Sequence, residues 1–255
     1  MRAVLVALVA LATVAHGQFV NTMRIPDEAA DWAVMNVNPA AKKDDPAVCI
    51  STNFKRCQSE FDTILGFDTS LDWKNSFDLS KAIDDYADQS IDNILNLCYA
   101  RSYFYQCLGA QYASCVSLYN LLGEDGSTAS QAYNYVQTYM SLDFLCNAGF
   151  EEALNQFQCM KYVPKASPDY DVRAVSKMNF YGNKFQACVN NFSYNLGQNP
   201  QQFCGHVNET ATCLNNAYSK GCSATDPRGA GWFGCENFRR SFEATCYETT
   251  RCFVH

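Results

Sequence analysis

Cys98-Tyr99-Ala100-Arg101-Ser102-Tyr103-Phe104-Tyr105-Gln106-Cys107-Leu108 and Cys204-Gly205-His206-Val207-Asn208-Glu209-Thr210-Ala211-Thr212-Cys213-Leu214 follow one pattern. Each places eight residues between two cysteines and continues into leucine. Outward from them, the 255-residue chain carries 14 cysteines, an even count that in an exported protein reads as a disulfide framework. Twelve fall into two successive sets of six. The first is Cys57, Cys98, Cys107, Cys115, Cys146 and Cys159; the second is Cys188, Cys204, Cys213, Cys222, Cys235 and Cys246. Cys49 and Cys252 stand outside, one at each end, and are expected to clasp the ends together.

Further matches predict an internal repeat. A phenylalanine follows four residues after Cys57 and after Cys188, as Phe61 and Phe192. Cys146 is followed by Phe150, Phe157 and Cys159, and Cys235 by Phe238, Phe242 and Cys246. The second copy is compressed: gaps of 40 and 30 residues in the first become 15 and 12. We expect an extended arm over 18–48, a first six-cysteine unit over 49–165 and a shorter second unit over 166–255. Pro164-Lys165-Ala166-Ser167-Pro168-Asp169 is the expected linker.

Hydrophobic period predicts an all-α, mainly helical, disulfide-rich array. Ile83, Ala87, Ile91, Ile94, Leu95 and Cys98 recur at three- and four-residue steps and predict one amphipathic helix, capped by Asp78 or Ser80. Asp84, Asp85, Asp88 and Asp92 then fall on its solvated face. Ala132, Val136, Tyr139 and Met140 predict a second helix. Phe150, Ala153, Leu154, Phe157 and Met160 predict a third, starting after Gly149. Sustained period-2 alternation is scarce.

The first 17 residues read as a secretory signal. Arg2 supplies the positive charge, Ala3–Ala15 the apolar stretch, and Ala15-His16-Gly17 a cleavage site that leaves Gln18 first. The apolar run is shorter than the roughly 20 residues a membrane span needs. No other segment predicts a span, so a secreted, extracellular protein is expected. Asn191-Phe192-Ser193 and Asn208-Glu209-Thr210 are N-glycosylation sequons.

Charge and motifs exclude more than they assign. From Gln18 to Met160 there are 19 acids and 8 bases, a charge of −11; from Lys161 to His255 there are 7 acids and 10 bases, or +3. The overall acidity argues against nucleic acid as a partner. The split reads as two solvated surfaces of different character, with an acidic half docking on a basic half, within or between molecules, as the sharper alternative. Past the signal only His206 and His255 remain, too few for the usual histidine-based hydrolases. No nucleophile elbow, His-Glu-Xaa-Xaa-His helix, Gly-rich phosphate loop or Cys-Xaa-Xaa-Cys pair is recognised, so no catalytic, cofactor or metal residues are expected. Tyr99, Tyr103, Phe104, Tyr105 and Tyr112, and Tyr133, Tyr135 and Tyr139, are expected mainly in the core. Outward-facing tyrosines among them would suit a protein or sugar surface.

The cysteine order, the Cys-Xaa8-Cys-Leu element and the Phe-Xaa-Cys…Phe…Cys segment resemble the secreted cysteine-rich helical proteins of nematodes, the chondroitin proteoglycan 4 domain family. The resemblance spans roughly Cys49 to Cys252 and implies a non-enzymatic extracellular matrix protein. The chain departs from the family's proteoglycan members in having no Ser-Gly dipeptide for chondroitin attachment. The expected function is a structural or interaction protein with a protein or glycan partner. The alternative is an extracellular carrier whose helices enclose a small hydrophobic ligand or lipid.

Overall fold

The computed structural model describes residues 19–37, 48–124, 126–164, 176–222, 226–249 and 251–252, with 176–183 described by their backbone alone. The predicted signal, Gln18, the linker beyond Pro164 and His255 lie outside these residues. Every regular element described is helical. In chain order the α-helices are α1 (Asp27–Met35), α2 (Ser51–Leu65), α3 (Ser76–Ala87), α4 (Ile91–Leu108), α5 (Tyr112–Cys115) and α6 (Leu118–Gly123). They continue with α7 (Ala129–Leu145), α8 (Phe150–Asn155), α9 (Phe157–Tyr162), α10 (Ser176–Gln198), α11 (Phe203–Gly221) and α12 (Pro227–Ser241).

Local chemistry sets the helix ends. Gly66 ends α2 in the left-handed region, with φ 72° and ψ 26°. Thr128 opens α7 with a capping box, its hydroxyl accepting from the Gln131 amide while the Gln131 side chain accepts from the Thr128 amide. Asp226 accepts from the Arg228 amide and Pro227 takes the first turn of α12.

Two predicted helices are each divided in two. The single helix expected across Ile83–Cys98 breaks at Asp88–Ser90, where extended Ser90 caps α4 by accepting from the Asn93 amide at 3.1 Å. The break resets the phase of everything after it. Ile91 and Leu95, read as inward, are exposed; Asp84 and Asp88, read as solvated, are buried. Likewise the helix expected from Phe150 to Met160 divides at Gln156 into α8 and α9.

All 14 cysteines are paired, and the bonds correct the expected grouping. Cys49 bonds Cys115, Cys57 bonds Cys107 and Cys98 bonds Cys146. Cys159 bonds Cys222, Cys188 bonds Cys213 and Cys204 bonds Cys246. Each triplet joins first to fifth, second to fourth and third to sixth. The repeat is therefore displaced by one cysteine at its start: Cys49 corresponds to Cys159, and Cys146 to Cys246. Cys235 bonds Cys252 as an addition peculiar to the second half, so the terminal clasp between Cys49 and Cys252 is overturned.

Side chains follow the same correspondence. Phe54, Cys57, Phe61 and Leu65 on α2 match Phe185, Cys188, Phe192 and Leu196 on α10, and all eight are buried. The second bond of each triplet ties that helix to the next long one, α2 to α4 and α10 to α11. The third helices, α7 and α12, pack against one another and bring the halves together. On α12, Gly231 and Gly234 let the backbone close on α11; a Cβ at Gly234 would overlap the Tyr218 ring.

Residues 19–37 pack into the body and do not form an extended arm. Phe19, Val20, Met23 and Ile25 are buried, Phe19 stacks on Phe157 at 5.2 Å, and Trp32 of α1 stacks on Phe203 at 5.9 Å. The aliphatic and aromatic residues among the prolines explain this, since burying each contributes ~1.5–3 kcal/mol.

A non-reducing peptide map is expected to recover Cys159 linked to Cys222 and Cys49 linked to Cys115. Gly234→Ala is expected to lower stability by ~1–3 kcal/mol through overpacking, read from the urea midpoint.

Candidate functional site

Polar groups among the described residues gather in four clusters, three of them buried and the one at Asp143 half-buried, and all four are built as internal braces. The largest lies where the two halves meet. The Phe19 and Val20 amides donate to Asp84 Oδ1 of α3 at 3.0 and 3.1 Å. The Asn21 amide donates to Ser141 Oγ of α7, and that hydroxyl donates to Asn237 Oδ1 of α12 at 2.5 Å. Asn237 Nδ2 in turn donates to the Phe19 carbonyl at 2.9 Å. Burial holds the Asp84 carboxyl well above the usual range, the Val20 and Phe19 amides only partly offsetting it and Asp88 and Asp85 adding to it. A cavity of about 10 Å³ lined by Asn21, Leu214, Tyr218, Gly234, Asn237 and Phe238 adjoins this cluster. It has room for about one water molecule.

The second cluster joins α2 to α7. Gln58 Oε1 accepts from Tyr135 at 2.5 Å and Tyr139 at 2.8 Å, while Gln58 Nε2 donates to Asp62 Oδ1 at 3.0 Å. Burial pushes the Asp62 carboxyl up to about 7, against the Gln58 hydrogen bond and with help from Asp72 and Asp68. The third joins α4, α5 and α7, where Asp143 accepts from Arg101 and from the Tyr112 hydroxyl. On α12, burial would raise Glu236, but Arg239 and the Cys252 amide hold its carboxyl below the ordinary range.

The residues singled out in sequence take varied places. His206 is buried on α11, its Nδ1 3.5 Å from Glu209 Oε2. The expected tyrosine core is met by Tyr112, Tyr133, Tyr135 and Tyr139, whereas Tyr99, Tyr103 and Tyr105 are exposed. Asn191 is exposed on α10; on α11 Asn208 is half-buried and Thr210 is buried. Among the described residues no group of three or more His, Cys, Asp or Glu could hold a metal ion. Gly229-Ala230-Gly231-Trp232-Phe233-Gly234 has the spacing of a dinucleotide fingerprint, yet it lies inside α12 and no strand precedes it among the described residues.

Sequence reading missed the outer face of α4. Ile91, Leu95, Tyr99 and Tyr103 stand one turn apart and are 40, 45, 62 and 38 % exposed. Their inner counterparts Ile94, Leu97, Ala100 and Phe104 are buried, so α4 is apolar on both faces. The four form a ridge about 18 Å long. Cys98 and Cys107 fix the helix beneath it to α7 and α2. The signal that could have found it is Ser90, whose capping sets the phase of α4.

Buried carboxyls with raised pKa values set the sign of the pH dependence. Asp62 titrates near 3.8 when unfolded and near 7 when folded, so the folded state holds the extra proton between those values. Stability is therefore expected to fall as pH rises from about 4 to about 7. Asp62→Asn is expected to flatten that slope, raising stability at pH 7.5 relative to the parent and little at pH 4. Urea unfolding at the two pH values measures this.

No protein-family model, curated protein or solved structure matches this chain.

Proposed function

We propose that the chain is a secreted, non-catalytic structural or interaction protein of the extracellular space. It would serve as a disulfide-braced body that presents the α4 ridge to a partner. Seven disulfides and the lack of any helix long and apolar enough to cross a membrane among the described residues are compatible with export. The cysteine pattern's resemblance to the chondroitin proteoglycan 4 domain family supports the same reading, without the glycosaminoglycan chain. The single observation that carries it is the ridge itself: four large apolar side chains left in water on a helix held by two disulfides.

Charge selects the class of partner. The ridge lies in the half that carries 19 acids against 8 bases, with Asp92 next to Ile91 in the chain; Glu60, which accepts from the Tyr103 hydroxyl at 3.1 Å, is itself paired with Arg56. A protein whose apolar contact surface is rimmed by Lys and Arg fits this face. The carrier reading draws no support from the cavity beside Tyr218, which is far smaller than a lipid.

Leu95→Lys with Tyr99→Lys is expected to leave the melting temperature within a few degrees and to abolish binding to basic proteins on an extracellular-protein array. Unchanged binding by the double variant overturns the assignment of the ridge. Loss of binding to an oligosaccharide array instead moves the partner to glycans, and loss of a dimer in gel filtration moves it to a second copy of the chain.

A further inference from the structure

The repeat builds the ridge-bearing face twice, and the two copies differ. Cys98 and Cys107 of α4 correspond to Cys204 and Cys213 of α11. In that register Leu97, Phe104 and Leu108 correspond to Phe203, Thr210 and Leu214, and all six are buried. The outer faces do not match. Leu95, Tyr99 and Tyr103 of the ridge correspond to Gln201, Gly205 and Glu209, and these three are exposed. One position in the repeat thus carries large apolar side chains in the first half and none in the second, so packing does not require them there.

Both glycosylation sequons fall on the second copy of this face. Asn208 immediately precedes Glu209 on α11. Asn191 of α10 corresponds to Glu60 of α2, each standing three residues after its matched cysteine, Cys188 or Cys57. Glu60 accepts from the Tyr103 hydroxyl at 3.1 Å, and the counterparts of that touching pair are Asn191 and Glu209. Cys188–Cys213 holds α10 to α11 just as Cys57–Cys107 holds α2 to α4. The surface has room for a sugar. Asn191 is exposed, and Asn208, although half-buried, has Gly205 as its neighbour one turn back. A Cβ at Gly205 would meet nothing within 4 Å.

We propose that N-linked oligosaccharides on Asn191 and Asn208 cover the second half's copy of the ridge face, so that the body docks through the first half alone. In each transfer the asparagine Nδ2 bonds to the anomeric carbon of a sugar carried on a lipid-linked diphosphate. That carbon's bond to the diphosphate oxygen breaks, the lipid diphosphate leaves with the electron pair, and the amide gives up one proton. The attached glycan is bulky and hydrated, so the face beneath it meets water rather than protein. The assignment rests on the reading of the chain as exported, because the sugar donor is met on the export route.

The test expresses residues 18–255 in eukaryotic cells behind the leader of an unrelated exported protein. Release of glycans by peptide-N-glycosidase in heavy-oxygen water turns each occupied asparagine into a labelled aspartate. Peptide mapping is expected to find the label at both Asn191 and Asn208. Asn191→Gln and Asn208→Gln are each expected to remove the mass of one glycan, and the double variant the whole of it. Either asparagine unlabelled in most of the secreted chains overturns the proposal. Deglycosylation is also expected to change binding through the ridge less than ~2-fold, and loss of that binding overturns the one-sided placement. Export of the native chain with its own residues 1–17 is followed separately. Its retention in the cell counts against the export reading, whereas unlabelled asparagines in the leader-swapped chain count against the glycans alone.

Discussion

Phe19, Val20, Asn21, Met23 and Ile25 are buried in a segment that belongs to neither helix nor sheet, and that constraint shapes the centre of the molecule. Each buried amide or carbonyl that lacks a partner costs on the order of 1–3 kcal/mol, so such a segment can enter a core only where side chains await it. Asp84 meets two amides, Ser141 a third, Asn237 the Phe19 carbonyl and Ser130 the Ile25 carbonyl. These side chains come from α3 and α7 of the first half and α12 of the second. The segment thus reports on the relative position of the halves: a shift of α12 against α7 would break Asn237 from both Ser141 and Phe19.

The disulfides hold the same arrangement by other means. In both halves the first bond encloses the second, and the third crosses out to the end of α7 in the first half and to a cysteine just beyond α12 in the second. Cys159 on α9 lies before the expected linker and bonds Cys222 beyond α11, so the second half begins earlier in the chain than proline content suggests. The additional Cys235–Cys252 bond secures the C-terminal strip, and Glu236 accepts from the Cys252 amide beside it. Crosslinks that close long loops stabilise mainly by restricting the unfolded chain. They leave room for interior features that are themselves unfavourable, such as the Asp62 carboxyl raised to about 7.

Helical class, the full set of cysteines and the core role of Tyr133, Tyr135 and Tyr139 were legible in the sequence, because period and cysteine count report directly on them. The repeat was legible only in part. Matching cysteine to cysteine by order put Cys57 first, whereas the motif Phe-Xaa2-Cys-Xaa3-Phe-Xaa3-Leu-Gly, present at both 54–66 and 185–197, marks the second cysteine of each triplet. Connectivity was beyond reach because six cysteines allow 15 pairings and spacing alone does not choose among them. The buried acids were misread for a different reason. A continuous helix would expose Asp84 and Asp88, and the partners that draw Asp84 inward are amides 64 and 65 residues away. The α4 ridge was hidden by the same error, since a helix assumed unbroken at Ser90 turns Ile91 and Leu95 inward.

Rigidity gives the ridge its meaning. An exposed leucine or tyrosine alone is ordinary on a protein surface. Four in a row on a helix anchored by Cys57–Cys107 and Cys98–Cys146 differ in how little they have to give up on binding. Association otherwise orders side chains and loops at roughly 0.5–1.5 kcal/mol each, and a helix already fixed at two points avoids the backbone share of that loss. The rings contribute large contact area through only two side-chain torsions, which limits the rotamer share. The crosslinks that let the fold hold buried acids also make α4 a stiff edge, so the stability of the body and the readiness of its surface have one origin.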